Sequence, residues 1–318
     1  MKTINKYIIY VFAEIYRFVT YYLSTIISRH IDYFHYKVLS FFAYPIFTID
    51  RSPGTIGNKC YGNLWAIKNA VKGGFRKKCM IEHGLYFGEF VIEEECISDS
   101  IDTIYTYSDY RKNAIINWFD GKLDKRIITV GPYIIHANHF KQIDELKTIK
   151  KKLGRVLLVF PSHPSPEASF SYNLDELLDE IDIVAKRFDT VLVSLFWLDI
   201  KKGNDKYYLD RGYTVVCSGI RSDRWFLSRQ KDLLWLADYS MSNDIGTHIG
   251  YSIAMGVPHY LFKQKLSLKG KGAEYMIDKY NQIRIKEYNE LIGVFGCDSE
   301  IITSDQLDVI KKYWGHWT

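Results

Sequence analysis

The sequence predicts an α/β protein with two lobes, each a parallel sheet covered by helices, preceded by a helical N-terminal segment. Three observations support this class. The chain has 318 residues, which is long for one domain and suits two. From residue 78 onward, short apolar runs typical of buried strands alternate with amphipathic helical stretches. Polar residues and glycines follow these runs, at the edge where an open parallel sheet binds ligands. We therefore expect two Rossmann-like lobes.

The first lobe is predicted from three strand-like runs, "KKCMIEHG", "DTIYTYSDY" and "KRIITVGPYI". Ser108-Asp109 after the second run is a helix start, since serine is a favoured N-cap residue. The polar, charged segment "KQIDELKTIKKKLG" is taken as the domain boundary. The predicted organisation is a helical segment over 1–50, an acceptor lobe over 51–148, a donor lobe over 149–300, and a C-terminal helix over 301–318.

The second lobe repeats the same rhythm. Apolar strands are predicted in "GRVLLVFPSHP", "DTVLVSLFWLDI", "YTVVCSGIRSD" and "PHYLF". Helices are predicted in "LDELLDEIDIVAKRF" and "DRWFLSRQKDLLWLADY" because their apolar residues recur at helical spacing. Strands that alternate with helices in this way form parallel units with helices on both faces of the sheet.

The N-terminal segment is rich in Ile, Phe and Tyr but carries charges throughout. Its longest uncharged run, Phe18 to Ser28, is far shorter than the roughly 20 residues a membrane-spanning helix needs. It has no evident signal-peptide cleavage site. Two interpretations stay open: helices packed on the body, or an interfacial helix with Lys2, Lys6 and Arg17 on anionic lipid. We expect a cytoplasmic protein, either free or peripheral on the inner face of the cytoplasmic membrane.

Composition excludes several classes of protein. The net charge of +5, from 42 basic and 37 acidic residues, suits an anionic substrate or a membrane surface and falls short of a nucleic-acid-binding protein. The five cysteines are scattered, odd in number and without a CxxC pair, which is typical of buried thiols in a reducing compartment. No Cys/His spacing fits a metal site, so none is expected.

The stretch "SNDIGTHIGYSIAMG" has the composition of an anion-binding helix start. Ser242 and Asn243 are good N-cap residues, and Gly246 allows a ligand to approach the backbone closely. A helix that begins near Gly246-Thr247 presents free N–H groups and a favourable dipole to a phosphate. The Ser242 and Thr247 hydroxyls would add donors, and His248 lies beside them in the first turn. The alternative is ordinary capping with no ligand, but the three glycines of this stretch favour a phosphate site.

The loop "IEHGLYF" places two titratable side chains at the end of a first-lobe strand. Glu82 or His83, followed by Gly84, could take the proton from an attacking hydroxyl. The two side chains point in different directions along an extended backbone, so only one of them serves as the base. The alternative is a loop carboxylate beside a glycine turn.

Two further loops carry candidate phosphate ligands. His163 and Pro164 lie on a stiff loop after the first strand of the second lobe, where the histidine can contact a phosphate or a nucleotide. Arg221 and Arg224 follow a later strand, and arginine suits bidentate contact with phosphate. The alternatives are an exposed proline-bounded turn and a surface arginine pair. Glu93 to Glu95 are interpreted as a solvated run.

In this order the motifs resemble those of bacterial GT-B glycosyltransferases that build capsules and lipopolysaccharide, most closely the sialyltransferase-like groups that use CMP-activated acidic sugars. Those groups carry an acidic-acidic-Gly motif with the base, a His-Pro motif and a Ser/Thr motif on the donor side. The matching text is "EHG" (Glu82 to Gly84), "HP" (His163-Pro164) and "SNDIGT" (Ser242 to Thr247). The resemblance spans about residues 78 to 262, and His83 stands at the second acidic position.

The resemblance implies a metal-independent transfer of a sugar to a glycan hydroxyl in cell-surface polysaccharide synthesis. A CMP-linked acidic sugar is among the donors that it implies. The nucleotide sugar would be a substrate, with no separate cofactor. The partners would be the donor, a glycan or lipid-linked oligosaccharide acceptor and the inner membrane surface, without nucleic acid. Two alternatives stay open: a nucleotide-sugar epimerase of similar fold, and a non-catalytic subunit of a polysaccharide assembly complex.

Overall fold

The computed structural model describes residues 12, 15, 25–41, 57–71, 73–163, 169–265, 267–269 and 286–317. Most of the predicted N-terminal segment and Pro164 therefore lie outside the described residues. Within the described residues, no helix is long and apolar enough to cross a lipid bilayer.

The first sheet is parallel and has the strand order β1 (Cys79–Ile81), β2 (Thr103–Thr106) and β3 (Arg126–Thr129). The first two strands are fully buried, whereas β3 is an edge strand with exposed ends. Ser108 caps the helix after β2, as predicted, by accepting a hydrogen bond from the Arg111 N–H. The helices up to the second sheet are α1 (Tyr36–Phe41), α2 (Asn63–Ala70), α3 (Glu93–Cys96), α4 (Asp109–Trp118), α5 (Tyr133–His136) and α6 (Ile143–Leu153).

The second sheet has five parallel strands, four of them predicted from apolar runs. Their spatial order is β7 (Thr214–Val216), β6 (Thr190–Ser194), β4 (Val156–Phe160), β8 (Tyr239–Ser242) and β9 (His259–Leu261). A small antiparallel pair, β5 (Ser169–Ser171) and β10 (Ser267–Lys269), lies apart from this sheet. The helices are α7 (Leu174–Ala185), α8 (Trp197–Lys202), α9 (Asp205–Leu209), α10 (Phe226–Leu236), α11 (Thr247–Ala254) and α12 (Ser304–Trp314). Residues 286–295 are also helical.

The two parallel sheets confirm the predicted α/β class with two lobes. In the second sheet the strand order reverses between β4 and β8, the topological switch point at which such sheets form their ligand crevice. The loops after these two strands hold the predicted His163 and Ser242 to His248.

One apolar core joins the two sheets. It includes Tyr105 and Tyr107 from the first sheet, Leu158 and Phe160 from the second, and Trp314 at the end of α12. The indole of Trp314 fills the space beside Gly250 of α11, where a side chain would collide with it. This packing holds the carboxyl edges of both sheets close together.

Two expectations differ in detail. The run "DTVLVSLFWLDI" was predicted as a single strand, but β6 ends at Ser194 and α8 begins at Trp197. A buried helix turn and a buried strand have similar apolar composition over so few residues, so periodicity could not separate them. The boundary predicted at residues 148–149 falls inside α6, whose charged residues surround the single buried position Leu146.

Candidate functional site

The loop after β1 and the start of α11 are in contact. The backbone N–H of Leu85, next to Gly84, donates to the Thr247 hydroxyl at 3.4 Å. The Thr247 carbonyl in turn accepts from the Trp314 indole N–H at 3.1 Å. Two stretches singled out in the sequence, whose contacting residues are 162 positions apart, therefore meet where the carboxyl edges of the sheets face each other.

His83 lies at this junction with an arginine from the second lobe. Its Nε2 is 3.0 Å from the Tyr86 hydroxyl and 3.5 Å from Arg221 Nη2. Burial and the nearby positive charge of Arg221 lower the pKa of His83 to about 4. Because a guanidinium can only donate, its contact with Nε2 favours a neutral imidazole whose Nε2 lone pair accepts from it. His83 is thus an uncharged, partly exposed acceptor beside a cation.

Glu82 is placed differently, in a buried ion pair. Its Oε1 accepts from Arg111 Nη2 at 2.7 Å and its Oε2 from Arg111 Nε at 3.3 Å. The Thr106 hydroxyl also donates to Oε2. Glu82 is 3% exposed and Arg111 fully buried, so this carboxylate has little surface left for a substrate.

Ser242 and Asn243 are buried inside the lobe. The Ser242 hydroxyl donates to the Asp244 carbonyl at 2.9 Å and contacts His259 Nε2 at 3.0 Å. The Asn243 side chain accepts from the Ser162 N–H at 2.7 Å and donates to Gln264. These two residues shape the loop between β8 and α11 and tie it to the loop after β4.

The N-terminus of α11 has no side-chain cap. Its N-cap residue is Gly246, which offers none. A side chain at Gly246 would collide with the His248 ring, so packing requires this glycine. The His248 ring stacks on Phe160 at 5.0 Å, and its hydrogen bond to the Asp244 backbone leaves Nε2 buried without a partner among the described residues. Free backbone N–H groups and an unpaired ring nitrogen therefore lie together.

The loop after β4 adds a second buried group without a partner. The Ser162 hydroxyl is buried and makes no hydrogen bond within the described chain. His163 is exposed and stacks on Phe196 at 4.3 Å between ring centroids. A buried polar atom without a partner is costly, which is a physical reason to expect a polar ligand at this edge.

A cavity of about 190 Å³ opens next to Ser162 at the carboxyl ends of β4 and β6. Its lining includes Asp199, whose Oδ1 accepts from Asn204 at 3.0 Å and whose pKa burial raises to about 6. Tyrosines and leucines form much of its wall; the principal residues are Tyr172, Leu174, Leu195, Lys202, Tyr207 and Tyr208. A larger cavity of about 670 Å³ lies beside β3 and α12, but none of the predicted site residues lines it.

Sequence reasoning missed three residues of this region. Arg111 and Asp199 gave no signal, because one sits within a helix and the other in a stretch predicted as a strand. Glu95 was placed in a solvated run, yet burial, opposed by Arg221, raises its pKa to about 7. Arg224, considered beside Arg221, instead stacks over the Trp65 ring at 4.7 Å. Within the described residues, no three His, Cys, Asp or Glu side chains are placed to hold a metal ion.

Three histidines with lowered pKa values make stability depend on pH. Burial is the main cause that lowers the pKa of His83 to about 4, of His248 to about 3 and of His259 well below its usual value. Unfolding returns each to about 6.5, so the unfolded chain binds more protons and stability falls as pH drops below about 6.5. Each histidine should lower the free energy of unfolding by about 2 kcal/mol between about pH 7 and pH 5, and Glu95 and Asp199 offset part of this loss, because burial raises their pKa values and they bind protons in the folded chain.

Urea unfolding at the two pH values measures this loss. His259→Gln, which keeps a polar group between Ser240 and Ser242, should reduce the loss by about 2 kcal/mol, the contribution of one histidine. A pH-dependent loss in His259→Gln equal to that of the wild-type chain would contradict the assignment.

Comparison with known proteins gives distant structural similarities. No known family profile matches the sequence, and no curated protein matches it either. Similar solved structures include the wall teichoic acid polymerase TagF, 12% identical over 74% of this chain and 63% of that one, with a TM-score of 0.41. A UDP-GlcNAc 2-epimerase from Neisseria meningitidis bound to UDP-GlcNAc is 12% identical over 87% of each chain, with a TM-score of 0.39.

Anabaena Alr3699/HepE in complex with UDP is 15% identical over 70% of this chain and 62% of that one, with a TM-score of 0.35. The chain spans about three fifths of the first similar structures, 58% of a Methanocaldococcus jannaschii UDP-GlcNAc 2-epimerase and 63% of TagF. Similarity at this level leaves the family of the chain unassigned.

Proposed function

We propose that this protein is a glycosyltransferase that moves a sugar from a nucleotide-sugar donor to a glycan hydroxyl. One observation carries the proposal: the uncapped start of α11, with the unpartnered Ser162 Oγ and His248 Nε2, faces the His83 loop across the two sheet edges. Such a transfer needs two groups in one crevice. One is an anion-binding helix start for the donor phosphate, and the other is a neutral side chain that can accept a proton.

The second lobe would hold the donor phosphate. The first N–H groups of α11 and the Thr247 and Ser162 hydroxyls are donors, and the helix dipole favours negative charge at this point. Negative charge grows on the phosphate as the sugar–oxygen bond breaks, so these fixed dipoles stabilise the transition state more than the ground state. Arg221 adds a full positive charge nearby. The protein thus supplies the electrostatic stabilisation from its own groups.

The first lobe would supply the base, and we assign it to His83 rather than Glu82. His83 is partly exposed, and a substrate hydroxyl can compete with Arg221, 3.5 Å away, for its Nε2 lone pair, whereas Arg111 occupies both oxygens of the buried Glu82. His83 would accept the acceptor hydroxyl proton as that oxygen bonds to the sugar carbon. A bound phosphate offsets the charge of Arg221, one of the two causes that lower the pKa of His83, and so makes the imidazole a better base.

We further propose that the nucleobase occupies the cavity of about 190 Å³ beside Ser162. Ligand cavities for whole drug-sized molecules are larger, about 300–1,000 Å³, so this one suits a single ring system. Its Asp199 carboxylate can accept a hydrogen bond from the amino group of cytosine, a pairing that carboxylates favour. This supports a CMP-linked donor. We extend the proposal to an acidic sugar as the transferred group and a cell-surface glycan as the acceptor.

Thermal-shift titration with CMP, UMP, UDP, GDP and ADP tests the proposal. A ligand that binds only the folded chain raises its melting temperature, by an amount that corresponds to about 2.7 kcal/mol at 100 times Kd. We expect the largest shift with CMP. Ser162→Ala and Thr247→Val should reduce the shift, whereas Ser304→Ala, an exposed serine on α12, should leave it unchanged.

The other outcomes separate the alternatives. A larger shift with UDP or GDP would keep the glycosyltransferase and overturn the CMP assignment. Turnover of a bound nucleotide sugar without any acceptor would favour the epimerase. No shift with any nucleotide would overturn the proposed function and favour a non-catalytic subunit.

A further inference from the structure

Three short helices on the outer side of the second lobe form an exposed surface of unusual composition. The helix α1 packs along α8, and the Tyr36 hydroxyl donates to Asp205 at the start of α9 at 3.0 Å. On this surface Phe41 is 76% exposed, Val38 45% and Leu209 41%. We call the exposed side of α1, α8 and α9 the outer face.

The charges of these helices are sorted by sign. Their two acidic residues, Asp199 and Asp205, are both buried. Their four basic residues are all exposed: Lys37, Lys201, Lys202 and Lys206. The outer face therefore presents apolar side chains among lysines, with its carboxylates turned inward.

The segment that leads into α1 is firmly held by the body of the lobe. The buried Arg229 donates to the Ile31 carbonyl at 2.9 Å, and the Trp225 indole donates to the Thr25 carbonyl at 3.1 Å. The Cys217 N–H donates to the Tyr33 carbonyl at 3.0 Å, which joins the segment before α1 to the end of β7. Three buried or half-buried groups thus hold the segment from which α1 continues into the outer face.

We propose that the outer face docks on an anionic lipid bilayer. Exposed apolar side chains flanked by lysines match the two parts of a membrane interface, since the apolar groups enter the headgroup boundary and the lysines contact anionic headgroups. A soluble protein partner would favour mixed charges, whereas the exposed charged residues of these three helices are all lysines, and Asp210, directly after α9, adds one exposed carboxylate beside them. The proposal is tested at residues that do not line the proposed nucleobase cavity, since Lys202, which does line it, is left unchanged.

Vesicle sedimentation of the full chain tests the proposal. We expect binding to vesicles that contain phosphatidylglycerol, little binding to phosphatidylcholine alone, and release by high salt. The variants Phe41→Ser/Leu209→Ser and Lys201→Glu/Lys206→Glu should each bind at least about tenfold more weakly, since each lysine near an anionic surface contributes about fivefold. Their melting temperatures and CMP-dependent shifts should match the wild type.

Matched controls lie elsewhere on the protein. Ile301→Ser removes an apolar side chain that is 72% exposed, and Lys151→Glu/Lys152→Glu reverses two exposed lysines of α6. Both should bind like the wild type. Absence of binding to anionic vesicles, full binding by both outer-face variants, or equal loss in the α6 control would each overturn the proposal.

Discussion

Replacing Glu82 with alanine is expected to lower the free energy of unfolding by about 3–5 kcal/mol, the usual cost of leaving one partner of a buried ion pair alone. Arg111 is fully buried, and two of its nitrogens donate to the Glu82 carboxylate. Its remaining hydrogen bonds, to the carbonyls of Gly88 and Phe90, do not neutralise its charge. The guanidinium would therefore stay buried and uncompensated.

Guanidinium unfolding followed by circular dichroism measures this effect. Glu82→Gln keeps an acceptor oxygen but loses the charge, so its loss should be smaller than that of Glu82→Ala. The double variant Glu82→Leu/Arg111→Met removes both charges and should recover most of the stability, since an apolar pair of similar size replaces a buried ion pair at little cost. A loss below about 1 kcal/mol for Glu82→Ala would show that water or a neighbour compensates Arg111.

Strand ends and helix starts were predictable because they depend on short stretches of sequence. The polar loop after β1, the cap at Ser108 and the start of α11 after β8 all lie within a few residues of where the sequence predicted them. The rule that parallel sheets bind ligands at their carboxyl ends predicts one edge of each lobe, and in the structure the loops at these two edges are in contact. His83 and Thr247 could be named for this reason.

Partners distant in sequence could not be predicted. Nothing near Ser242 indicates that its hydroxyl contacts His259, or that Asn243 bonds the Ser162 backbone. The pairing of Glu82 with Arg111 likewise appears only when α4 packs beside β1. Polar residues after strands therefore include both ligand-facing and internal groups, and only three-dimensional contacts tell Thr247 from Ser242.

The C-terminal helix shows the same limit from the apolar side. Sequence predicted a helix over 301–318 without a role for it. In the structure Trp314 packs against Gly250 and bonds the Thr247 carbonyl, so α12 fixes the start of α11 against the first sheet. Trp314 fills a space beside Gly250, 64 residues earlier in the chain, and such a contact leaves no local pattern in the sequence.

Replacing His83 with alanine is expected to slow sugar transfer by about 10²–10⁴-fold, the usual contribution of a general base. Its ring hydrogen-bonds only Tyr86 and Arg221 among the described residues, so stability should change by less than for Glu82→Ala. The assay compares the kcat of His83→Ala with that of the wild type. Both are measured with the donor identified by thermal shift and with a glycan extract as the acceptor.

His136→Ala is the matched control for this variant, since His136 is another half-buried histidine, whose ring contacts the Val130 carbonyl rather than a group of the proposed site. Nucleotide-dependent melting shifts should persist in both variants, because the donor groups lie on the second lobe. A selective loss of kcat in His83→Ala would place the base on the first lobe. The opposite result would be near wild-type transfer by His83→Ala together with a slower rate in Glu82→Gln that its lower stability does not account for. That result would assign proton abstraction to Glu82 despite its ion pair.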